Sequence, residues 1–407
     1  MSLCLYTKIG QILIFVAVYY ICLMNQTSHI PDNYSPELRL LLTLTSGKIE
    51  TIPAEINWNE LIRLAKKHRV IVWLFKIDSD FPTFFPQPIK KIIQEIHTQN
   101  TQRMLSLTSE MQRLQKCFLI NNIANVPLKG PALAYQLFGN PGMRHSMDID
   151  FLVNAIDLDS ISKVMISEGY KQIKPDFPLS PKQKKVHQKI IHHYYFKQVN
   201  TGLLVEIHWK LVTPCTLFPD GENLIFGSII EGIPFAQIQP ELLLQYLIIH
   251  GSMHRWYKLF WLKDIDEFLQ RNLIADIHYF NELTKKLGSN KMVNQAFTLC
   301  ELFFKTPIPK GINHQPASEY LISSALRTIN IPEEKLHERT KERFVKTFYL
   351  TQLKNGFAHK TACLKAPGTN YLDWKTLPLP DGLFFLYYLL RPFLFCWSVF
   401  IKKNRVA

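Results

Sequence analysis

Residues 143–153 read "MRHSMDIDFLV", an apolar, strand-like run that carries two carboxylates one residue apart, Asp148 and Asp150. Successive side chains of a strand point to opposite faces, so the two aspartates share one face while Ile149, Phe151 and Val153 occupy the other. Burying an unpaired charge is costly. A chain that folds this segment into a sheet must therefore bring positive charge to one face of it, and that demand limits what the rest of the fold can be.

The flanking segments hold the candidates. Upstream, "NVPLKG" reads as a short strand ending at Gly130, and "PALAYQLFG" as a helix with Pro131 in its first turn. A glycine turn opening a helix presents backbone N–H groups to phosphate oxygens. Lys129 and Arg144 add cations on either side of that helix. Downstream, "KIIHHYYFKQ" and "LLVEIHWKLV" alternate and are joined by "VNTG", which predicts a hairpin. Glu206 and His208 share a face there, while Val205, Ile207 and Trp209 face the other way. His192 and His193 open the hairpin, one expected toward the site and one toward the core, with no role assigned to either. Three carboxylates thus converge from two strands. Such hard oxygen donors suit Mg²⁺ or Mn²⁺ together with substrate phosphates. An Asp-x-Asp pair alone also fits a solvated strand end or a salt-bridged pair; the Lys-Gly turn and the arginine are what favour the metal. No Walker A and no G-x-G-x-x-G pattern is present, which removes P-loop and Rossmann chemistry.

The remainder of the chain reads as helix. With 407 residues, 47% apolar and 20% charged, it has the composition of a globular protein with room for more than one domain. The expected organisation is an apolar leader or mis-start at 1–30, an N-terminal helical region at 31–122, an α/β core at 123–215, a C-terminal helical region at 216–375 and a hydrophobic tail at 376–407. Ser35, Pro36 and Gly47 frame a first helix. "PELLLQYLIIHGSMHRWYKLFWLKDIDEFLQRN" is the clearest helical stretch of the second half, with Trp256, Phe260 and Trp261 at core spacing. The seven cysteines, Cys4, Cys22, Cys117, Cys215, Cys300, Cys363 and Cys396, contain no C-x-x-C pair, which argues against a disulfide framework or structural zinc and for a reducing compartment. A net charge of +14 favours polyanionic partners. The basic residues are scattered and no nucleic-acid-binding signature appears, so no dedicated nucleic-acid binding is expected.

In combination these segments resemble the DNA polymerase β-type nucleotidyltransferase superfamily, and more narrowly a bacterial family of uncharacterised nucleotidyltransferases. The resemblance is carried by "LKGPALA" at 128–134, "GMRHSMDIDFLV" at 142–153 and "VEIHW" at 205–209, with "HGSMHRWYKLFWLKDI" at 250–265 and "LPLPDGLFFLYYLLRP" at 377–392. It implies an α+β fold, a small polymerase β-type mixed-sheet core flanked by helical regions. It also implies two-metal transfer of an NMP from an NTP, with AMP the favoured nucleotide, to a hydroxyl of a small molecule or protein. On that reading Asp148 and Asp150 hold one Mg²⁺ (or Mn²⁺), Asp150 and Glu206 the other, and Lys129, Gly130 and Arg144 position the phosphates. Pro131 departs from the superfamily's usual Gly-Gly or Gly-Ser turn and removes one N–H. The gap from Gly130 to Asp148 is also longer than the norm.

His208, His254 and Lys263 are further candidates for contact with nucleotide or acceptor, with structural packing the competing role for His254. His250 and His254 also stand at the i, i+4 spacing of zinc ligands, but Gly251 occupies the place of the glutamate a zinc protease needs. Two other function classes compete with an enzyme: a catalytically silent nucleotide-binding or regulatory protein, and a membrane-anchored structural protein. The retention of three costly carboxylates with Lys129 and Arg144 speaks against the first. Apolar stretches at 9–24 and 383–403 raise the second, yet Arg391 and Pro392 interrupt the latter, and a central arginine costs about 2.5–3.5 kcal/mol on the insertion scale. Two spans with Lys8 and Lys402–Lys403 inside would also leave the catalytic core outside, away from NTP. The expected location is the cytoplasm, with the tail either packed on protein or touching the inner face of the membrane.

Overall fold

A computed structural model describes residues 30–47, 55–227, 229–230, 237–332, 340–364, 369–391 and 393–394. Two compact units interleave along the chain. One comprises Met1–Gln102, Leu137–His145 and Gln239–Lys360, the other Arg103–Gln136, Ser146–Ile238 and Thr361–Ala407. The fold is α+β, as expected: a mixed five-stranded sheet in a largely helical chain.

The second unit holds the sheet. Its strands are β1 (Asn125–Pro127), β2 (Asp148–Val153), β3 (Tyr170–Lys174), β4 (His193–Gln198) and β5 (Leu204–His208), in the order β1-β2-β5-β4-β3. β4 and β5 form the expected hairpin. β2 and β5 run parallel, with Asp150 opposite Glu206 and Leu152 opposite His208. The other pairings are antiparallel. β3 has no counterpart in the sequence reading, because "YKQIK" lacks a clean apolar alternation. One sheet face is the core. Ile149, Phe151 and Val153 of β2 join Val205, Ile207 and Trp209, Tyr194 and Phe196. They pack with Met104, Leu107, Met111, Leu114 and Phe118 of the helix Gln87–Ile120 and with Leu158, Ile161 and Met165 of the helix Leu158–Ser167. Burying each such side chain is worth about 1.5–3 kcal/mol, so register is strongly held: a one-residue slip of β2 would put the aspartates into this core.

In the same unit Trp374, Phe384 and Tyr387 form a smaller cluster against Phe177, Leu179 and Val186. The start of the apolar tail is thus packed on protein, and Arg391 pairs with Asp373. Phe385, Tyr388 and Leu389 on the other side are exposed. Among the described residues no helix is long and apolar enough to cross a membrane. The segment 9–24, the end of the tail and Cys4, Cys22 and Cys396 lie outside the described residues; Cys117, Cys215, Cys300 and Cys363 are free thiols.

The first unit is helical. Ser35 caps the helix Pro36–Thr45 as expected, accepting from the N–H of Leu38. The stretch expected as the clearest helix of the second half is two helices, Pro240–Met253 and Leu259–Gln270. Arg255 and Trp256 between them adopt positive φ. The break is stabilised by packing: the Trp256 indole lies over Gly251, where an added Cβ would come within 2.1 Å of the ring, and its Nε1–H donates to Gln295. Trp256 is therefore core, but through a turn rather than helical spacing. His254 sits at the C-cap, past the end of the first helix.

Candidate active site

Gly130 begins the helix Gly130–Phe138 with φ +60°, a region that L side chains rarely adopt. The approach is also close, since a Cβ there would lie 3.1 Å from the Asp148 carbonyl oxygen. β1 leads directly into this turn, and the N–H of Leu128 bonds to the Asp150 carbonyl oxygen. The turn and the Asp-x-Asp strand are thus joined through backbone.

On the sheet face opposite the core, β2 presents Asp150 and β5 presents Glu206 and His208. Lys129 Nζ lies 3.3 Å from Asp150 Oδ1. His208 Nε2 sits between the carboxylates, 3.1 Å from Asp150 Oδ1 and 3.1 Å from Glu206 Oε2. Asp150 and His208 are buried, whereas the Glu206 side chain keeps 14% exposure and so opens the group toward solvent. Ligand-capable atoms of Asp150, Glu206 and His208 all lie within 4.8 Å of one another. Asp148 belongs to no such group among the described residues. Its Oδ1 accepts instead from the hydroxyl of Ser146 at 3.1 Å, which also bonds its carbonyl oxygen.

The electrostatics follow from this packing. Burial opposes charge on Asp150, but Lys129 and His208 outweigh it and hold the carboxyl well below the usual range. Burial likewise opposes charge on His208, and its hydrogen bonds to Asp150 and Glu206 outweigh that, raising its pKa. Asp150 is thus held as a carboxylate, with the Lys129 ammonium and the His208 ring against it. A pair of carboxyl groups side by side fits a hard divalent cation, Mg²⁺ or Mn²⁺.

His193 stands directly across from His208 in the β4–β5 register. Its ring centroid is 4.9 Å from that of His208, and His192's is 5.7 Å away. Both of the hairpin's first histidines therefore lie beside His208, where one had been expected to face the core. Burial, followed by the neighbouring His208, pushes His192 down to about 3 and His193 lower still.

The remaining sequence candidates lie in the helical unit. Arg144 is buried, and its Nε and Nη2 make a two-pronged contact with Asp264 at 2.9–3.1 Å. Its carbonyl oxygen and that of Gly142 accept from Asn100. Lys263 is buried against Asp266 and Glu267, with Trp73 beneath its ammonium. His254 stacks on Trp261 with Tyr257 at its edge. The residues missed in the sequence are Ser146 and Asp264. A serine two positions before an aspartate is too common to signal anything, and Asp264 is 120 positions from its arginine.

Residues 54–305, more than half of the chain, match the model of a family described as "Uncharacterised nucleotidyltransferase". No curated protein and no solved structure matches.

Proposed function

The chain belongs to the uncharacterised nucleotidyltransferase family, and from that premise we propose that it transfers an NMP, with AMP the favoured nucleotide, from an NTP to the hydroxyl of a small-molecule or protein acceptor. The observation that carries this reading is the convergence of Asp150, Glu206 and His208 within 4.8 Å on one sheet face, beside Lys129.

In this reading Asp148, Asp150 and Glu206 hold two divalent ions, Mg²⁺ or Mn²⁺. Bound there, such ions supply charge neutralisation for the triphosphate and acidify the acceptor hydroxyl. The chain's own residues do the rest. Gly130 opens the helix whose first backbone N–H groups face phosphate oxygens, and Lys129 adds a cation at that turn. The acceptor oxygen forms a bond to the α-phosphorus, the bond from that phosphorus to the bridging oxygen breaks, and pyrophosphate leaves. Glu206, more exposed than Asp150, takes the acceptor proton. His208 positions Asp150 and Glu206 by donating to both. Ser146 fixes the Asp148 carboxylate.

A second reading, a nucleotide-binding protein without turnover, is favoured by one feature: Lys129 and His208 already compensate Asp150. Incubation with Mg²⁺ or Mn²⁺ and each labelled NTP, with cell extract as the source of acceptor, separates the two. Transfer of label that Asp148→Asn or Glu206→Gln abolishes supports the enzyme. Metal-dependent NTP binding with no transfer to any acceptor supports the second reading.

A further inference from the structure

We propose that His192, His193 and His208 form a site for one transition-metal ion of the Zn²⁺ class, adjoining the Asp150–Glu206 carboxylates through the shared His208 ring. One nitrogen from each ring lies within 4.8 Å of those of the other two. The rings come from one place in the fold, the β4–β5 hairpin, where His193 faces His208 and the His192 carbonyl oxygen accepts from the N–H of Trp209. Two of these rings have a buried nitrogen without a hydrogen-bond partner among the described residues: His193 Nδ1 and His208 Nδ1.

In two of the three rings the other nitrogen is arranged as a metal-bound histidine requires. A ligating histidine nearly always hydrogen-bonds through its second ring nitrogen, most often to a carboxylate or another oxygen, and that bond sets the tautomer and the ring orientation. His208 Nε2 contacts Asp150 and Glu206 at 3.1 Å each. His192 Nδ1 contacts the Thr213 hydroxyl at 3.1 Å, which leaves Nε2 for a metal. His193 Nε2 lies 3.9 Å from Glu206 Oε2, beyond direct hydrogen-bond distance. Three imidazoles with no carboxylate suit Zn²⁺, Cu²⁺ or Ni²⁺ rather than Mg²⁺. Three protein ligands also leave a fourth position open. An ion on His208 Nδ1 would keep Nε2 protonated, so that this ring always donates to Asp150 and Glu206. The inference does not depend on nucleotidyl transfer: the site would bind its ion in an inactive chain.

The test uses the full chain, stripped by chelator, titrated with Zn²⁺ against a competing chelator in excess Mg²⁺, and separately with Co²⁺ while its visible absorption is recorded. One equivalent of Zn²⁺ is expected, with a Co²⁺ spectrum lacking any thiolate charge-transfer band. His192→Ala and His193→Ala should each weaken binding at least ~10-fold. Thr213→Ala, an exposed change that leaves the core untouched, should weaken it in the same direction, which guards against misfolding of the histidine variants. Binding displaced by Mg²⁺, binding that survives both histidine substitutions, binding lost in Glu206→Gln but kept in His192→Ala, a thiolate band, or no binding would each overturn the proposal.

Discussion

Lys129 Nζ lies 3.3 Å from Asp150 Oδ1, joining the turn before a helix N-terminus to the central carboxylate of the sheet. The pair explains how Asp150 stays ionised while buried. Removing the ammonium in Lys129→Met should therefore weaken any transfer activity by roughly 10²–10³-fold, the range for losing one positioned electrostatic group. It should also lower stability by about 1.5–3 kcal/mol, the range for a hydrogen bond to a charged group. Steady-state kinetics and urea unfolding measure the two effects.

Gly130→Ala tests the turn. A side chain must adopt positive φ there and meet the Asp148 carbonyl oxygen at 3.1 Å. A loss of about 1–2 kcal/mol is expected in urea unfolding, accompanied by weaker nucleotide binding. The same substitution at Gly47, where nothing lies within 4 Å, should be milder.

Arg144 and Asp264 form a buried, two-pronged pair in the helical unit. Breaking a buried pair from one side costs about 3–5 kcal/mol, because the other charge is left behind. Arg144→Ala and Asp264→Asn should both lower the thermal midpoint sharply, and a double apolar replacement such as Arg144→Met with Asp264→Leu should recover much of it. An Arg144→Ala protein of unchanged stability but raised KM for NTP would instead support a phosphate-binding role for this arginine.

The buried histidines contribute to the acid limb of stability. Burial depresses His187 from 6.5 to about 4, and His192 from 6.5 to about 3. The unfolded chain therefore takes up protons below pH 6.5 that the folded chain does not, so stability falls as pH drops through that window. Each such group contributes a slope of up to about 1.4 kcal/mol per pH unit. His208 has the opposite sign: its raised pKa contributes stability below 6.5 that disappears as pH rises through its folded value. His187→Gln should flatten the slope between pH 6.5 and about 4. His208→Gln should remove the loss on the alkaline side, as read from unfolding free energies across pH.

The pattern of what sequence alone reveals is physical. Period-2 alternation placed Asp148 and Asp150 on one face of β2 and Glu206 with His208 on one face of β5, because alternation is a local property of strand geometry. The glycine turn and the hairpin were equally local. The parallel pairing of β2 with β5 is not local, as fifty residues lie between the strands. Hence His208's position between Asp150 and Glu206, and the gathering of His192 and His193 around it, could be read only from the fold. The helix break at Arg255 and Trp256 was hidden because apolar residues continue across it; one indole packed on Gly251 holds it. The partner of Arg144 was hidden because Asp264 lies 120 positions away, whereas those of Lys263, Asp266 and Glu267, stand at i+3 and i+4 of its own helix.

The measurement closest to the central claim is transfer of α-labelled NMP by Asp150→Asn beside the unaltered chain, with Mg²⁺ and an acceptor-containing extract. Asp150 is the carboxylate that Lys129 and His208 both contact, and both proposed ions depend on it. The account predicts metal-dependent transfer by the unaltered chain and loss of at least ~100-fold in the variant, with circular dichroism unchanged. Transfer that proceeds undiminished in Asp150→Asn would contradict it.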